Sequence, residues 1–260
     1  MDNSEKEETR PRAGAQAVRR ALAVLRIVAA GRDSGVPLAE IVRATGLTRP
    51  TVHRLAHVLI EEGLIERNPR FGRYALGGQV QELALARPQP TALQRAAEPH
   101  LAEIAARLGD TLFLTVRTGL DTLCLARRTG SYPVQVFSIE VGARRPLGVS
   151  SAGIAILATL PAAEVRRIAL ANAPRLASWR TDPAAVLAQV RAARRRGYML
   201  RDVGIVPGTR SLSAWIPGDG RRPAAALTLS ALRSRLTPRR EDEIAEALRA
   251  AAGAIGAAVR

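Results

Sequence analysis

Four residues in the run RPTVHRLAHVLIEEG, namely Arg49, Thr51, His53 and Arg54, are of the types that read base edges in a DNA groove. Arginine pairs bidentately with guanine, and the methyl of threonine suits that of thymine. They are interleaved with Val52, Leu55, Ala56 and Leu59, which recur at the spacing of one buried helical face and leave the polar set, with His57, outside. Arg54 is the first candidate for a base contact. The alternative for each is a phosphate contact, which fixes register without reading sequence.

Other chemistries find less support. His53 and His57 stand four apart, half of a metal-binding spacing, but Arg54 occupies the position where a zinc protease needs glutamate. No metal or other cofactor is expected. Ser150 and Ser151 lack the Gly-x-Ser-x-Gly context of a nucleophile elbow, so no catalytic residue is assigned and the chain is not read as an enzyme. In GVSSAG (Gly148 to Gly153), free backbone N–H groups and two hydroxyls at a helix start could instead hold an anion or carboxylate. Alternatively, Ser150 is merely a helix cap.

Positioning the first set requires a compact reader. A polar, Pro-containing tail (residues 1–14) precedes the helix AQAVRRALAVLRIVAAG, whose stripe is Val18, Leu22, Leu25 and Val28 or Ala29. Val24 and Ile27 widen that apolar surface enough for a partner helix, and the RDSG that follows ends it. Pro37 opens a second helix with Leu38, Ile41 and Val42 inward, and Gly46 supplies the left-handed turn after it. Thr48 can cap the third helix through its hydroxyl, Pro50 is tolerated in its first turn, and Gly63 stops it. Two short helices joined by a tight glycine turn are the helix-turn-helix signature. Residues 64–67 and 73–76 then flank the turn-forming loop Asn68–Gly72, making a hairpin wing. Arg67 and Arg73 on it are read as phosphate contacts, while Arg70 at its tip enters a minor groove or is solvated. The DNA-facing set is therefore Thr48, Arg49, Pro50, Thr51, His53, Arg54, Arg67, Arg70 and Arg73.

These residues and their surroundings resemble the IclR family of bacterial transcription regulators. The carriers are RALAVLRIVAAG, PLAEIVRATGLTRPTVHRLAHVLIEEGLIERNPRFGRYALG and the linker helix QVQELALA, then EPHLAEIAARLGDTLFLTVRTG, LCLARRTGSYPVQV, GVSSAGIAILATLP and RRRGYMLRDVGIVPGTRSLSAWIPGDGRRPAAALTL. The resemblance implies an α+β multidomain chain: a winged helix-turn-helix (15–77), a linker helix (78–90) and a GAF-like effector-binding domain (91–260). It further implies a palindromic double-stranded DNA operator, a small-molecule effector, and a homodimer or homotetramer. By the same resemblance the GVSSAG turn lines the effector pocket, which makes Ser150, Ser151 and Ala152 candidates, and Asp202 and Ser211 fall near pocket positions. Asp202 is otherwise a turn residue. The chain departs from the family at Arg201, Val203 and Gly204, where acidic residues are frequent, at Ser211, where cysteine is common, and at Val42, where a smaller residue is usual. An inward-facing Arg201 would favour an acidic ligand.

Pro88, Pro90 and Thr91 mark the boundary after the linker. An amphipathic helix is expected at 92–108, strands at 111–117, 122–128 and 134–140, and helices at 151–160, 161–171 and 182–196. Strands near 198–201, 210–216 and 223–230 follow, the last two joined at Pro217–Gly220, before a final helix at about 238–259. Antiparallel strands with segregated helices read as α+β.

Composition bounds the rest. The 260 residues suffice for two domains, and no apolar run is long enough to span a membrane. MDNSEKEETR has no apolar signal region, so a cytoplasmic protein is expected. One cysteine, Cys124, excludes an internal disulfide and is read as a structural thiol. The net charge of +16 does not locate the reader: residues 10–82 carry 12 basic against 6 acidic residues, residues 87–260 carry 26 against 13, and all but Lys6 are arginine. That excess is biased composition. Two rival functions remain: an enzyme built on the C-terminal domain, for which no catalytic pair is found, and an architectural DNA binder without a ligand, which would bind with little sequence preference.

Overall fold

The computed structural model describes residues 15–31, 34–86, 91–202, 204–216 and 224–259. The N-terminal tail, Arg32 and Asp33 of the RDSG stretch, Pro88 and Pro90 of the boundary, Val203 and the Pro217–Gly220 turn lie outside the described residues. The chain divides into two compact units, residues 1–89 and 90–260.

The first unit contains α1 (Gln16–Ala30), α2 (Leu38–Thr45), α3 (Arg49–Glu61), β1 (Ile65–Arg67), β2 (Tyr74–Leu76) and α4 (Gln79–Leu85). Its core gathers Val24 and Val28 of α1, Ile41 of α2, Val52, Ala56 and Leu59 of α3, and Ile65 and Tyr74 of the hairpin. The inward stripe of α1 matches the expected one only in its C-terminal half, where Val28 is buried and Leu25 packs against the core. Val24 and Val28 are buried, whereas Val18 and Leu22 are 60% and 45% exposed, because the helix turns its next row toward α2 and α3. Gly46 takes the left-handed conformation (φ 67°) and returns its N–H to the Val42 carbonyl, closing α2 as a glycine cap does. The expected Thr48 cap does not form. Its hydroxyl pairs at 2.8 Å with that of Thr51. The hairpin is antiparallel, with Glu66 opposite Ala75, and Tyr74 also forms a single β-bridge to Val36 of the α1–α2 connection.

The second unit runs α5 (Ala92–Leu108), β3 (Thr111–Thr118), β4 (Asp121–Arg128), β5 (Arg144–Pro146), α6 (Ser151–Ala158), α7 (Ala162–Ala171), α8 (Ala173–Ala177), α9 (Pro183–Arg196), β6 (Met199–Arg201), β7 (Thr209–Ile216), β8 (Ala225–Leu232) and α10 (Pro238–Ala258). Its strands form one antiparallel six-stranded sheet in the order β5-β4-β3-β8-β7-β6. Alternate residues on β3, β7 and β8 (Leu112, Leu114, Leu212, Ala214, Leu227, Leu229) pack against α5 and α10. A second core, built on α6, α7, α8 and α9, covers the opposite face. Both faces of the central strands are thus occupied, which is why β8 reads as an almost unbroken buried run.

The strand expected at 134–140 is absent. Val136 alone is buried there, and the segment is held as a loop by Gln135, whose Nε2 donates to the carbonyls of Gly109 and Tyr132 at 3.0 and 2.5 Å. The Gln135 Oε1 accepts from the Thr111 hydroxyl at 2.7 Å. Thr91 opens α5 with a full capping box, the hydroxyl accepting from the Gln94 N–H while Gln94 Oε1 accepts from the Thr91 N–H. Asp110, 2% exposed, accepts from Arg235 at 2.6 and 3.1 Å and from Arg240 at 3.3 Å, fastening the end of α5 to the start of α10. That hydrogen-bonded carboxylate pushes the Arg235 guanidinium above its ordinary range. Burial pushes the Cys124 thiol up to about 11, as suits a structural thiol.

Removing one member of a buried charge cluster leaves the others uncompensated, so Asp110→Ala is expected to cost about 3 kcal/mol of folding stability. Urea unfolding of the variant checks this, and a loss below about 0.5 kcal/mol would show the cluster to be dispensable.

Candidate functional site

On α3 the buried face of Val52, Ala56 and Leu59 fixes the rotation of the helix and leaves Arg49, His53 and Arg54 exposed in one set, with Thr48 and Pro50 exposed at its start and Thr51 half-buried. Proline at the second helical position costs no intrahelical bond there. The mutual Thr48–Thr51 hydrogen bond holds both hydroxyls at the helix start. His57 turns to Glu61, Nδ1 to Oε1 3.0 Å, one helical turn further on. Among the described residues no cluster of three or more His, Cys, Asp or Glu is placed to hold a metal ion.

The three wing arginines separate into two roles. Arg67 and Arg70 are exposed; Arg67 lies 5.9 Å from the Tyr74 ring centroid and Arg70 5.5 Å from that of Phe71. Arg73 points the other way. Its Nε and Nη2 donate to the Gly35 carbonyl at 3.3 and 3.1 Å, beside the Val36–Tyr74 bridge. Its guanidinium therefore fastens the wing to the α1–α2 connection, a role for which its neighbours in sequence give no signal.

In the second unit, a small, partly open pocket lies between the sheet and α6. Three candidates from the helix start line it, Ser150, Ser151 and Ala152, together with Ser211 of β7. The turn before α6 depends on Gly148 at φ 103°, where a Cβ would stand 2.7 Å from a Val186 methyl carbon. Asn172, fully buried, fixes the chain just before it by donating from Nδ2 to the carbonyls of Leu120 and Leu147 at 2.8 and 3.3 Å. Ser150 does act as a helix cap, accepting from the Gly153 N–H at 3.1 Å, and it lines the cavity as well. The Ser151 hydroxyl meets that of Ser211 at 2.9 Å, joining the helix start to the sheet. The N–H groups of Ser151 and Ala152, in the first turn, have no partner within the helix.

Asp202, expected near the pocket, is not among its lining residues; its carboxylate pairs with Arg210, whose other arm donates to the Leu236 carbonyl at 2.8 Å. Arg201, the last residue of β6 and opposite Ser211, does line the pocket, while Leu200 before it points into the core under α10.

Sequence reasoning missed much of the lining. Thr115 of β3, Thr209 of β7, and Thr228 and Ser230 of β8 form a hydroxyl-bearing floor. The register sets Ser211 opposite Ser230. The legible signal is the alternation itself: β7 reads Ser211-Leu-Ser213-Ala and β8 Leu227-Thr-Leu229-Ser, apolar toward α10 and hydroxyl toward α6. Arg145 of β5 is the other omission. Its Nη2 donates to the Ser138 carbonyl, and its guanidinium lies 5.3 Å from the Trp179 ring centroid. Burial pulls both Arg145 and Arg201 below the ordinary guanidinium range, and the charge of Arg201 adds to the effect on Arg145.

Two family models match the chain: "IclR helix-turn-helix domain" over residues 17–69 and "Bacterial transcriptional regulator IclR C-terminal" over residues 89–257. The chain is 27% identical over 223 residues to a "Probable transcriptional regulator SauR" from Cupriavidus necator, covering 84% of this chain and 86% of that protein. The crystal structure of an IclR family transcriptional regulator from Brucella abortus superposes with a TM-score of 0.80 over 100% of this chain and 98% of that one, at 23% identity, a likeness of fold. An IclR homologue from Microbacterium hydrocarbonoxydans, crystallised in complex with 4-hydroxybenzoate, matches at 25% identity and TM-score 0.68 over 94% of this chain and 99% of that one. No helix among the described residues is long and apolar enough to cross a membrane.

The two roles of the wing arginines separate in a stability measurement. Arg73→Ala is expected to cost the N-terminal unit about 1–3 kcal/mol, the range for a hydrogen bond from a charged donor. Arg70→Ala should change it by less than about 0.5 kcal/mol. Hydrogen exchange at the Val36 and Tyr74 amides, which pair reciprocally at 2.8 Å, reads both.

Proposed function

The chain belongs to the IclR family of bacterial transcriptional regulators, DNA-binding regulators with an effector domain and not enzymes, and on that footing we propose that it reads a palindromic operator as a symmetric oligomer and is switched by a small organic acid. The observation that carries the DNA half is the exposed set Arg49, His53 and Arg54 on a helix whose opposite face is locked in the core. A recognition helix in this setting enters the major groove, and two heads related by a two-fold axis read two half-sites. Thr48, Arg49, Pro50 and Thr51 approach the groove at the helix start, with His53 and Arg54 deeper, Arg67 and Arg70 along the backbone, and Arg73 supporting the wing from behind. The exposed apolar residues Val18 and Leu22 of α1 and Leu83 and Leu85 of α4 support pairing of two copies through these helices. Resemblance to the family extends this to a tetramer.

For the effector half, the cavity with Ser150, Ser151, Ala152 and Ser211 at one end and two guanidinium groups in its wall supports a carboxylate-bearing ligand. The 4-hydroxybenzoate bound by the Microbacterium relative is itself a carboxylate. Such a ligand acts only through a difference in affinity between DNA-competent and DNA-incompetent arrangements.

Binding to a palindrome upstream of its own or a neighbouring gene should weaken steeply with salt. A dimer that neutralises about 8 phosphates gives a log–log slope of roughly −7. A flat dependence, or equal binding to random duplex, would remove the operator reading. Arg54→Ala should relax base preference at one position in each half-site, whereas an equal loss on every sequence would mark Arg54 as a phosphate contact.

A further inference from the structure

We propose that Phe71, at the tip of the wing, enters the minor groove beside each half-site as an apolar wedge, so that the flank is read by how easily a base step there opens. This rests on the operator reading above and adds a specificity residue to it. The tip is built around Asn68. Its N–H donates to the Arg73 carbonyl at 2.8 Å, and its carbonyl accepts from the Gly72 N–H at 2.9 Å. Its Oδ1 accepts from the N–H groups of Arg70 and Phe71 at 2.9 and 3.2 Å. Gly72 takes the left-handed conformation (φ 63°) that closes such a loop. These bonds fix the backbone under Phe71, whose ring is held out at 68% exposure, more than any other aromatic side chain among the described residues.

A ring so placed suits a partner that is apolar inside and acidic at its rim. Residues 67–81 contain no aspartate or glutamate, and Arg67 and Arg70 are both exposed. The Arg67 guanidinium reaches the Gly72 corner of the loop, and that of Arg70 lies 5.5 Å from the Phe71 ring centroid. Phe71 is the one large apolar side chain of the loop. A phenylalanine buries about 200 Å², a fraction of the roughly 800 Å² that each side of a stable protein interface covers. One ring is therefore too little for a protein partner, but it is the size of a base step. Apolar side chains that enter the minor groove partly unstack such a step and kink the duplex. The phosphates on the groove's rims then receive Arg67 and Arg70, and Arg70 exchanges a weak contact with the ring for a charge-assisted hydrogen bond. Unstacking is easy at pyrimidine–purine steps and hard within stiff A-tracts, so the ring makes deformability part of the recognised sequence.

The test uses duplexes that the full-length protein selects from a random-sequence pool, with 2-aminopurine, which brightens when unstacked, placed in turn along the flank of each half-site. The wild-type protein should brighten the probe at one flanking step. It should also bind a duplex carrying TA at that step at least about fivefold more tightly than the same duplex carrying AA. Phe71→Ala should bind both duplexes equally and abolish the brightening, with the thermal midpoint unchanged because the ring is exposed. Phe71→Leu should keep most of both effects, and Arg70→Gln should weaken binding to every duplex alike while the brightening stays. An unchanged TA preference and unchanged brightening in Phe71→Ala would overturn the wedge, while an intact preference for the selected half-sites would leave the operator reading standing. A fall in oligomer mass in Phe71→Ala, with the TA preference intact, would assign the ring to a contact between copies and overturn the wedge as well. A pool that yields no enriched sequence would remove the operator reading itself, and the wedge with it.

Discussion

Successive side chains on a strand point to opposite sides, and the C-terminal sheet packs its two sides against different surroundings. Toward α5 and α10 it presents leucine, alanine and isoleucine, closed over completely. Toward α6 the same strands present threonine and serine at the intervening positions, and there the helix start stands off to leave a cavity. A one-residue slip in register would exchange the two sets, burying the hydroxyls in the apolar layer and lining the cavity with leucine. The pairing of β3, β7 and β8 is therefore at once the condition for the core and the condition for the site. The capping box at Thr91 and the Asp110–Arg235–Arg240 cluster hold the two helices that seal the apolar side.

The reader was legible because its signals are local. A period of three to four residues, a left-handed glycine at position 46 and a turn-rich loop at 68–72 each act within a few residues, and α2, α3 and the hairpin follow from them. The first helix was legible as a helix but only partly in its rotation: Val28 and Leu25 face inward as expected, while packing against α2 and α3 buries Val24 and leaves Val18 and Leu22 exposed. Arginine roles were illegible for a related reason. Arg67, Arg70 and Arg73 look alike in sequence, yet Arg73 finds a carbonyl supplied by Gly35, 38 residues away.

The cavity was half legible. A serine-rich helix start after a glycine announces itself, and Ser150, Ser151 and Ala152 do line the space. Arg145 sits on a three-residue strand after a loop whose alternating Val134, Val136 and Ser138 imitate a strand. That segment is tied as a loop by one glutamine side chain, which donates to the nearby Tyr132 carbonyl and to the remote Gly109 carbonyl and accepts from the Thr111 hydroxyl. No local pattern encodes such a tie. Asp202 follows the end of β6 and pairs with Arg210, while Arg201, the last residue of the strand, lines the pocket.

A two-stranded hairpin by itself is marginal in water, but here Val36 bridges Tyr74 and Arg73 clamps the wing at the Gly35 carbonyl. The wing and α3 thereby share one frame with the α1–α2 connection and move as a single solid piece. Such a head has little to give up in ordering when it meets a duplex. If two of them read one operator as proposed, a switch must act on the spacing between jaws that do not themselves flex.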